Sequence, residues 1–292
     1  SDLEVARALS RAAAERGRKL RVHVKVDTGM GRLGLRPPDV VPFLHALRDL
    51  GGLKVEGVFT HLATADEADK SYARQQYEAF LWTKEQIRAA GLDVPFYHCA
   101  NSAALLDLPE MAEGMVRPGI ALYGCYPSPQ VQRRVELKPA MQLKARVAAV
   151  KRLPAGSSVS YGRTYTLTRE AEVALLPLGY ADGFSRLLSN RAQVLVGGRR
   201  VPQIGRVCMD QCMVELPPGM EVRPGQEAVL FGRQGEETIS VEEVAERLGT
   251  ISYEVVCLVS ARVPRVYLRG GRAVEVWEAD WRPRAARLGE GE

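Results

Sequence analysis

Four places along the chain bring together side chains able to move protons or hold anions. Lys25, Asp27 and Arg32 surround a glycine-rich turn, and His61 follows Phe59-Thr60. His98, Asn101 and Ser102 share one short run, and Arg117 precedes Gly119 and Ile120. Histidine is the side chain that exchanges protons near neutral pH, and a guanidinium donates hydrogen bonds without accepting any. A serine hydroxyl beside bare backbone N–H groups at a helix start can hold a phosphate without lysine. Any one of these residues alone is more ordinarily structural. Together they stand in register, because each group follows a strand-like run and falls at its C-terminal end, where parallel α/β folds gather their function.

The elements that must position these groups follow from periodicity. Helical spacing runs from Asp2 to Gly17, with Gly17 as a C-terminal cap. Leu20–Val26 reads as a strand and Pro38–Leu50 as a helix stopped by Gly51-Gly52. Leu53–Thr60 is the next strand, and Ser71–Ala90 is a long amphipathic helix ended by Gly91. Val94–Cys99 is a third strand and Met115–Leu122 a fourth. Such repetition predicts parallel strands with helical crossovers.

Beyond the proline-rich stretch 127–139 the pattern becomes short apolar runs broken by glycine and proline. These are Met141–Val150, Glu172–Pro177, Gln193–Val196, Met213–Leu216 and Glu227–Phe231, with one helix over Ser240–Leu248. The expected fold class is therefore α/β plus β, with an α/β part over residues 1–137 and a mainly β domain over 138–292. A (β/α)8 barrel needs about 250 residues. Four strands are either half of one or a complete four-stranded domain.

Composition narrows the classes. With 46% hydrophobic and 26% charged residues the chain can bury real cores. No apolar run is long enough for a membrane helix. The +5 net charge is scattered rather than gathered in a stripe, so neither a membrane nor a nucleic acid is expected as partner. Cys99, Cys125, Cys208, Cys212 and Cys257 are odd in number and without a framework, which points to reduced thiols and a cytoplasmic setting. Cys208 and Cys212 have no histidine near them in sequence to complete a zinc set, and no metal is expected.

Seven motifs stand out, the first four of them carrying the groups gathered at the strand ends. They are Lys25-Val-Asp-Thr-Gly-Met-Gly-Arg32, His61-Leu-Ala, His98-Cys-Ala-Asn-Ser102, Arg117-Pro-Gly-Ile-Ala-Leu-Tyr-Gly124, Ser160-Tyr-Gly162, Gly179-Tyr-Ala-Asp-Gly183 and Gly205-Arg-Val-Cys-Met-Asp210. Each is short, but in this order, spread over nearly the whole chain, they resemble the alanine racemase family.

The resemblance implies a (β/α)8 TIM-type barrel followed by a β domain, so the α/β part becomes the last four strands of a barrel. It implies pyridoxal 5'-phosphate as cofactor and a small amino acid, alanine, as substrate. The reaction would interconvert L- and D-alanine and supply D-alanine for peptidoglycan. Arg117 matches the arginine facing the cofactor's pyridine nitrogen, and Ser102, Gly119 and Ile120 match the phosphate cradle. Tyr161 matches one of two opposed acid–base groups, linked to Arg117 through His61. Arg32 matches the residue that steers the substrate carboxylate, and Lys25 a lysine open to carbamylation beside it. Met209, in one loop with Asp210, and Tyr180 match groups that meet the substrate. Tyr161 and Met209 lie in the β domain, so the resemblance implies a homodimer with a shared active site.

Two departures stand out. The family's Schiff-base lysine belongs to the first barrel strand, and none of the eight lysines here stands in its motif. The chain as given is therefore expected to be an N-terminally truncated fragment, inactive alone and a weak binder of cofactor. Ala261 stands where some members carry a phosphate-contacting tyrosine. The alternatives are an amino-acid racemase of broader specificity and a non-catalytic truncated product. A decarboxylase of the same architecture sets an acid opposite the pyridine nitrogen, which Arg117 and the Tyr161 motif oppose.

Overall fold

A computed structural model describes residues 1–279. The chain divides into two units, Ser1–Lys138 and Pro139–Glu292. In the first, α1 (Leu3–Ala14) opens under Asp2, whose carboxylate accepts the Val5 amide at 2.9 Å. Then follow β1 (Leu20–Lys25), α2 (Val40–Arg48), β2 (Leu53–Phe59), α3 (Ser71–Ala89), β3 (Phe96–His98) and α4 (Ser102–Asp107). β2 pairs in parallel with β1 on one side and β3 on the other. Parallel neighbours need long crossovers, which α2 and α3 provide.

Val24 and Val58 of the strands, and Val26 just past β1, join Leu44 and Leu47 of α2 and Phe80 and Ile87 of α3 in one buried cluster. Removing such side chains from water, at about 25 cal/mol per Å² of apolar surface, holds the helices on the sheet. Site-bearing strand ends are thereby tied to a rigid base.

The fourth strand expected over Met115–Leu122 does not form, and this sheet has three strands among the described residues. The Arg117 amide donates to the Ala100 carbonyl at 3.0 Å, the start of a ladder. Pro118 has no N–H with which to continue it. After Gly119 the chain tightens into a 3-10 turn, Ile120–Tyr123, closed by Gly124 at φ 75°. Of that apolar run Ile120 is buried, while Leu122 and Tyr123 face solvent. The turn leaves backbone amides in one place that a strand would have used in pairing.

The second unit is mainly β. It comprises β4 (Leu143–Arg146), β5 (Ala149–Leu153), β6 (Ser158–Val159), β7 (Tyr165–Thr166), β8 (Ala171–Leu176), β9 (Gln193–Val196), β10 (Arg199–Ile204), β11 (Cys212–Glu215), β12 (Glu227–Gln234) and β13 (Glu237–Ile239). α5 (Val241–Leu248), α6 (Ser252–Leu258), β14 (Arg265–Arg269) and β15 (Arg272–Trp277) complete it. The main sheet runs β13-β12-β9-β10-β11-β8-β5, and β4 pairs with β12.

The run expected over Met141–Val150 is divided between β4 and β5, and the small strands β6, β7, β10 and β13 to β15 were not anticipated. β10 is masked by Arg199, Arg200 and Pro202, yet a signal was present. Gly197 and Gly198, at φ 56° and 74°, form the two-residue turn that pairs β9 with β10. All five cysteines are free thiols. No helix among the described residues is long and apolar enough to cross a membrane.

Candidate active site

Arg117 is the centre of the first unit's polar cluster. One Nη1 is bonded to His98 Nδ1, and Nη2 donates to the Thr60 carbonyl at 2.8 Å and the Cys99 carbonyl at 3.3 Å. All three partners are neutral, and no carboxylate reaches the guanidinium among the described residues. Burial lowers its pKa from the usual value. Phe59, the last residue of β2, is a shared platform. The His98 ring stacks on it at 5.0 Å, Arg117 lies 5.2 Å from its centroid and the Lys25 ammonium 5.8 Å.

The expected link between Arg117 and His61 is not what the structure shows: His98 takes the hydrogen bond instead. His61 makes no side-chain hydrogen bond among the described residues, but it feels the site. Burial lowers its pKa first, then the charges of Arg117, Arg32 and Lys25, against Asp66. Lys25 is lowered likewise, by burial and by Arg32, with Asp27 opposing and Arg117 adding. Although burial pushes Asp27 upward, amides of Gly29, Gly31 and Met30 hold it below the usual carboxylate range. Arg32 is exposed at the tip of this turn.

A guanidinium can only donate, so His98 Nδ1 must accept. His98 Nε2–H then donates to His23 Nδ1 at 2.8 Å, which places the His23 proton on Nε2. Gly57 makes room for this pair, since a Cβ there would lie 2.5 Å from His23 Nδ1. His23 was not singled out from the sequence. Its one available signal was that it alternates with Lys25 along the same strand.

Burial, then Arg117, then His23 depress the His98 pKa to about 4. Between pH 6.5 and about 4 the unfolded chain takes a proton that the folded chain refuses, so stability falls as pH drops through that window. The loss is on the order of 3 kcal/mol. Urea midpoints at pH 7 and pH 5 are therefore expected to differ less in His98→Gln than in the unsubstituted protein. Equal pH slopes would refute the assignment.

The remaining candidates of this unit form a cradle. Ser102 Oγ accepts the amides of Gly119 at 2.8 Å and Ala121 at 3.3 Å. The amide of buried Ile120 has no partner among the described residues. Asn101, a candidate by sequence, caps α4 by accepting the Ala104 amide at 3.0 Å. Cys99 is no nucleophile: burial pushes its thiol up to about 12.

In the second unit Tyr161, Tyr180 and Met209 are brought together through backbone. Ser160, at φ 65°, turns Tyr161 outward and donates from Oγ to the Arg206 carbonyl at 2.7 Å. The Tyr180 amide donates to Cys208 O at 3.0 Å and the Ala181 amide to Met209 O at 2.8 Å. Met209's own amide has no partner among the described residues. All three side chains are exposed, Tyr161 at 73%. Asp182 braces this loop, accepting the Gly179 amide at 2.9 Å and Arg262 Nε at 3.0 Å, which gives the segment beside Ala261 a positioning part.

Gly179 is packed against the Met209 loop, and a Cβ there would lie 2.2 Å from Cys208 O. Gly179→Ala is expected to cost about 1–3 kcal/mol by overpacking, read as a lower thermal midpoint. An unchanged midpoint would mean the two loops are not tightly packed.

The family is shown over most of the chain. Residues 1–127 match the alanine racemase N-terminal domain family and residues 140–267 the alanine racemase C-terminal domain family. An alanine racemase of Desulforamulus reducens is 50% identical over 91% of this chain and 71% of its own length. One of Symbiobacterium thermophilum is 52% identical over the same shares. The chain belongs to the alanine racemase family.

Among solved structures, an alanine racemase of Clostridium difficile 630 superposes with a TM-score of 0.89 at 40% identity, covering 94% of this chain and 72% of that one. One from a D-cycloserine-producing Streptomyces lavendulae gives 0.87 at 40% identity, over 92% of this chain and 72% of that one. As a member of the alanine racemase family the protein is an isomerase, and its fold is α/β plus β, with part of a barrel's strand–helix repeat followed by a mainly β domain.

Proposed function

We propose that this alanine racemase family member interconverts L- and D-alanine with pyridoxal phosphate, supplying D-alanine for peptidoglycan in the cytoplasm. The observation that carries the reading is Arg117, a buried guanidinium with neutral partners alone. It has only donors to offer, so it suits an unprotonated pyridine nitrogen and disfavours protonation there. The residues also fit a phosphate ester: the Gly119 and Ala121 amides already converge on one oxygen, and the Ile120 amide is free for another. When bound, the cofactor supplies an electron sink beside the substrate's Cα, and a weak sink favours return of the proton over side reactions.

The protein's own groups then divide the work. Ser102, Gly119 and Ile120 hold the phosphate. Arg32 and the unpaired Met209 amide take the alanine carboxylate, with Tyr180 at the entrance. The Tyr161 hydroxyl carries a proton to and from one face of Cα. His61, its basicity lowered by burial and then by its cationic surroundings, stays neutral and can pass a proton on. The Lys25 amine, its pKa lowered by burial and by Arg32, adds carbon dioxide through its neutral form and releases a proton to solvent, giving a carbamate anion beside Arg32. Tyr161, Tyr180 and Met209 serve the partner's first unit in a symmetric homodimer.

The base for the opposite face is the lysine that holds the cofactor, and none of the eight present suits that task. Lys70, Lys84 and Lys144 are paired with Asp107, Glu113 and Glu227, and Lys19, Lys54, Lys138 and Lys151 are exposed. Lys25 alone lies in the cluster. Borohydride reduction with pyridoxal phosphate followed by peptide mapping is expected to leave all eight unlabelled, and label on Lys25 would overturn that assignment. In D2O the full-length protein is expected to turn L-alanine into D-alanine with deuterium at Cα. No D-alanine means no racemase.

A further inference from the structure

We infer that Gln76, with Tyr72 one turn before it on α3, is a positioning residue that fixes His61 and the Arg32 loop from behind. Its consequence for turnover rests on the function proposed above; its geometry does not.

The chain leaves regular pairing just where His61 stands. The Thr60 amide still donates to the His98 carbonyl at 3.2 Å, but His61 to Ala63 have no strand beside them. Gln76 supplies what a neighbouring strand would. Its Oε1 accepts the Ala63 amide at 2.8 Å and its Nε2 donates to the His61 carbonyl at 3.2 Å. Gln76 is 1% exposed, in a helix whose other buried positions include Ala73, Phe80 and Ile87. A buried amide is costly unless bonded, and a leucine of similar volume would suit this core without that demand. The demand comes from the backbone that Gln76 holds.

Residues four apart share one helix face, and Tyr72 uses that face on the other loop. Its hydroxyl donates to the Gly29 carbonyl at 2.9 Å. A Cβ on Gly29 would lie 2.3 Å from that hydroxyl oxygen and 3.5 Å from Gln76 Cγ, so both side chains close on the turn that presents Arg32. One stretch of α3 thus sets two site loops against each other. Burial and the charges of Arg117, Arg32, Lys25 and Asp66 set the proton affinity of His61, which therefore reports whether that setting holds.

The chain has four histidines, so imidazole titrations by NMR can be assigned by single replacements. In Gln76→Leu the His61 midpoint is expected to rise toward the ordinary histidine value, because a released loop moves toward water and away from the three cations. Gln75→Leu, at the exposed neighbouring position, is expected to leave His61 unchanged. Gln76→Glu, which keeps the acceptor for Ala63 but sets a second acceptor against the His61 carbonyl, should shift His61 too, and serves if the leucine variant does not fold.

In the full-length enzyme, Gln76→Leu is expected to lower kcat on the order of tenfold, since small misplacements of a catalytic group are costly. Tyr72→Phe is expected to raise KM for alanine with the smaller effect on kcat. A folded Gln76→Leu protein with the native His61 midpoint, even one of reduced stability, would overturn the inference. Should the unsubstituted enzyme make no D-alanine while His61 still shifts, the functional reading fails and the positioning role stands.

Discussion

In protein that includes the cofactor-holding lysine, Tyr161→Phe is expected to keep the thermal midpoint and to lose most of the racemase rate, on the order of a hundred- to ten-thousandfold. The substitution removes one oxygen. That oxygen makes no hydrogen bond among the described residues, and the side chain is 73% exposed, so the fold barely depends on it. Exposed positions of this kind usually change stability by no more than about 0.5 kcal/mol. The backbone that presents the phenol, Ser160 at φ 65° and Gly162 at φ 70°, is untouched.

The loss should also be one-sided. With a base remaining on one face only, one enantiomer of alanine is expected to exchange its α-hydrogen in D2O without inverting. Proton NMR of each enantiomer in turn reads this directly. Equal loss of exchange from both enantiomers would remove Tyr161 from the role of a face-specific base.

Arg117→Lys is expected to damage both stability and rate. Lysine keeps the charge and loses the planar fork. One ammonium cannot reach His98 Nδ1, Thr60 O and Cys99 O together as the guanidinium does. Each buried acceptor left unpaired costs about 1–3 kcal/mol, so the thermal midpoint should fall clearly. Racemisation is expected to drop on the order of a hundredfold as a preorganised donor is lost. A variant with unchanged kcat and midpoint would show that the fork is dispensable.

The same two variants test the dimer. Each alone keeps only a small part of the rate, but in a mixed dimer one of two shared sites has both native residues. Mixing them is expected to restore part of the activity. No recovery on mixing, with dimers present, would place Tyr161 and Arg117 in the same subunit's site.

Much of this was legible without coordinates, and the parts that were not have identifiable causes. The long helix read over Ser71–Ala90 is α3, because apolar side chains at helical spacing report burial of one face, and burial is a local property of the pattern. β9 over Gln193–Val196 was read at its observed bounds for the same reason. Met115–Leu122 misled because hydropathy does not register a missing N–H, and Pro118 followed by Gly119 turned an apolar run into a cradle.

By itself the sequence determined the helices and strands with clean periodicity, the residue types at strand ends, and the family. The tertiary structure alone decided which of those residues meet. His98 rather than His61 bonds Arg117, and His23 completes the chain from a strand 75 residues away. That meeting depends on register: a bulge between Val22 and His23 aligns His23 with Gly57, the position whose lack of a side chain leaves room for the imidazole. Gln76 was invisible as more than a polar residue in an apolar stripe until its two backbone partners were in place. Periodicity records which side of an element is buried. It carries no information about which buried group on another element will supply the matching donor, because that is set by strand register and helix placement over long separations.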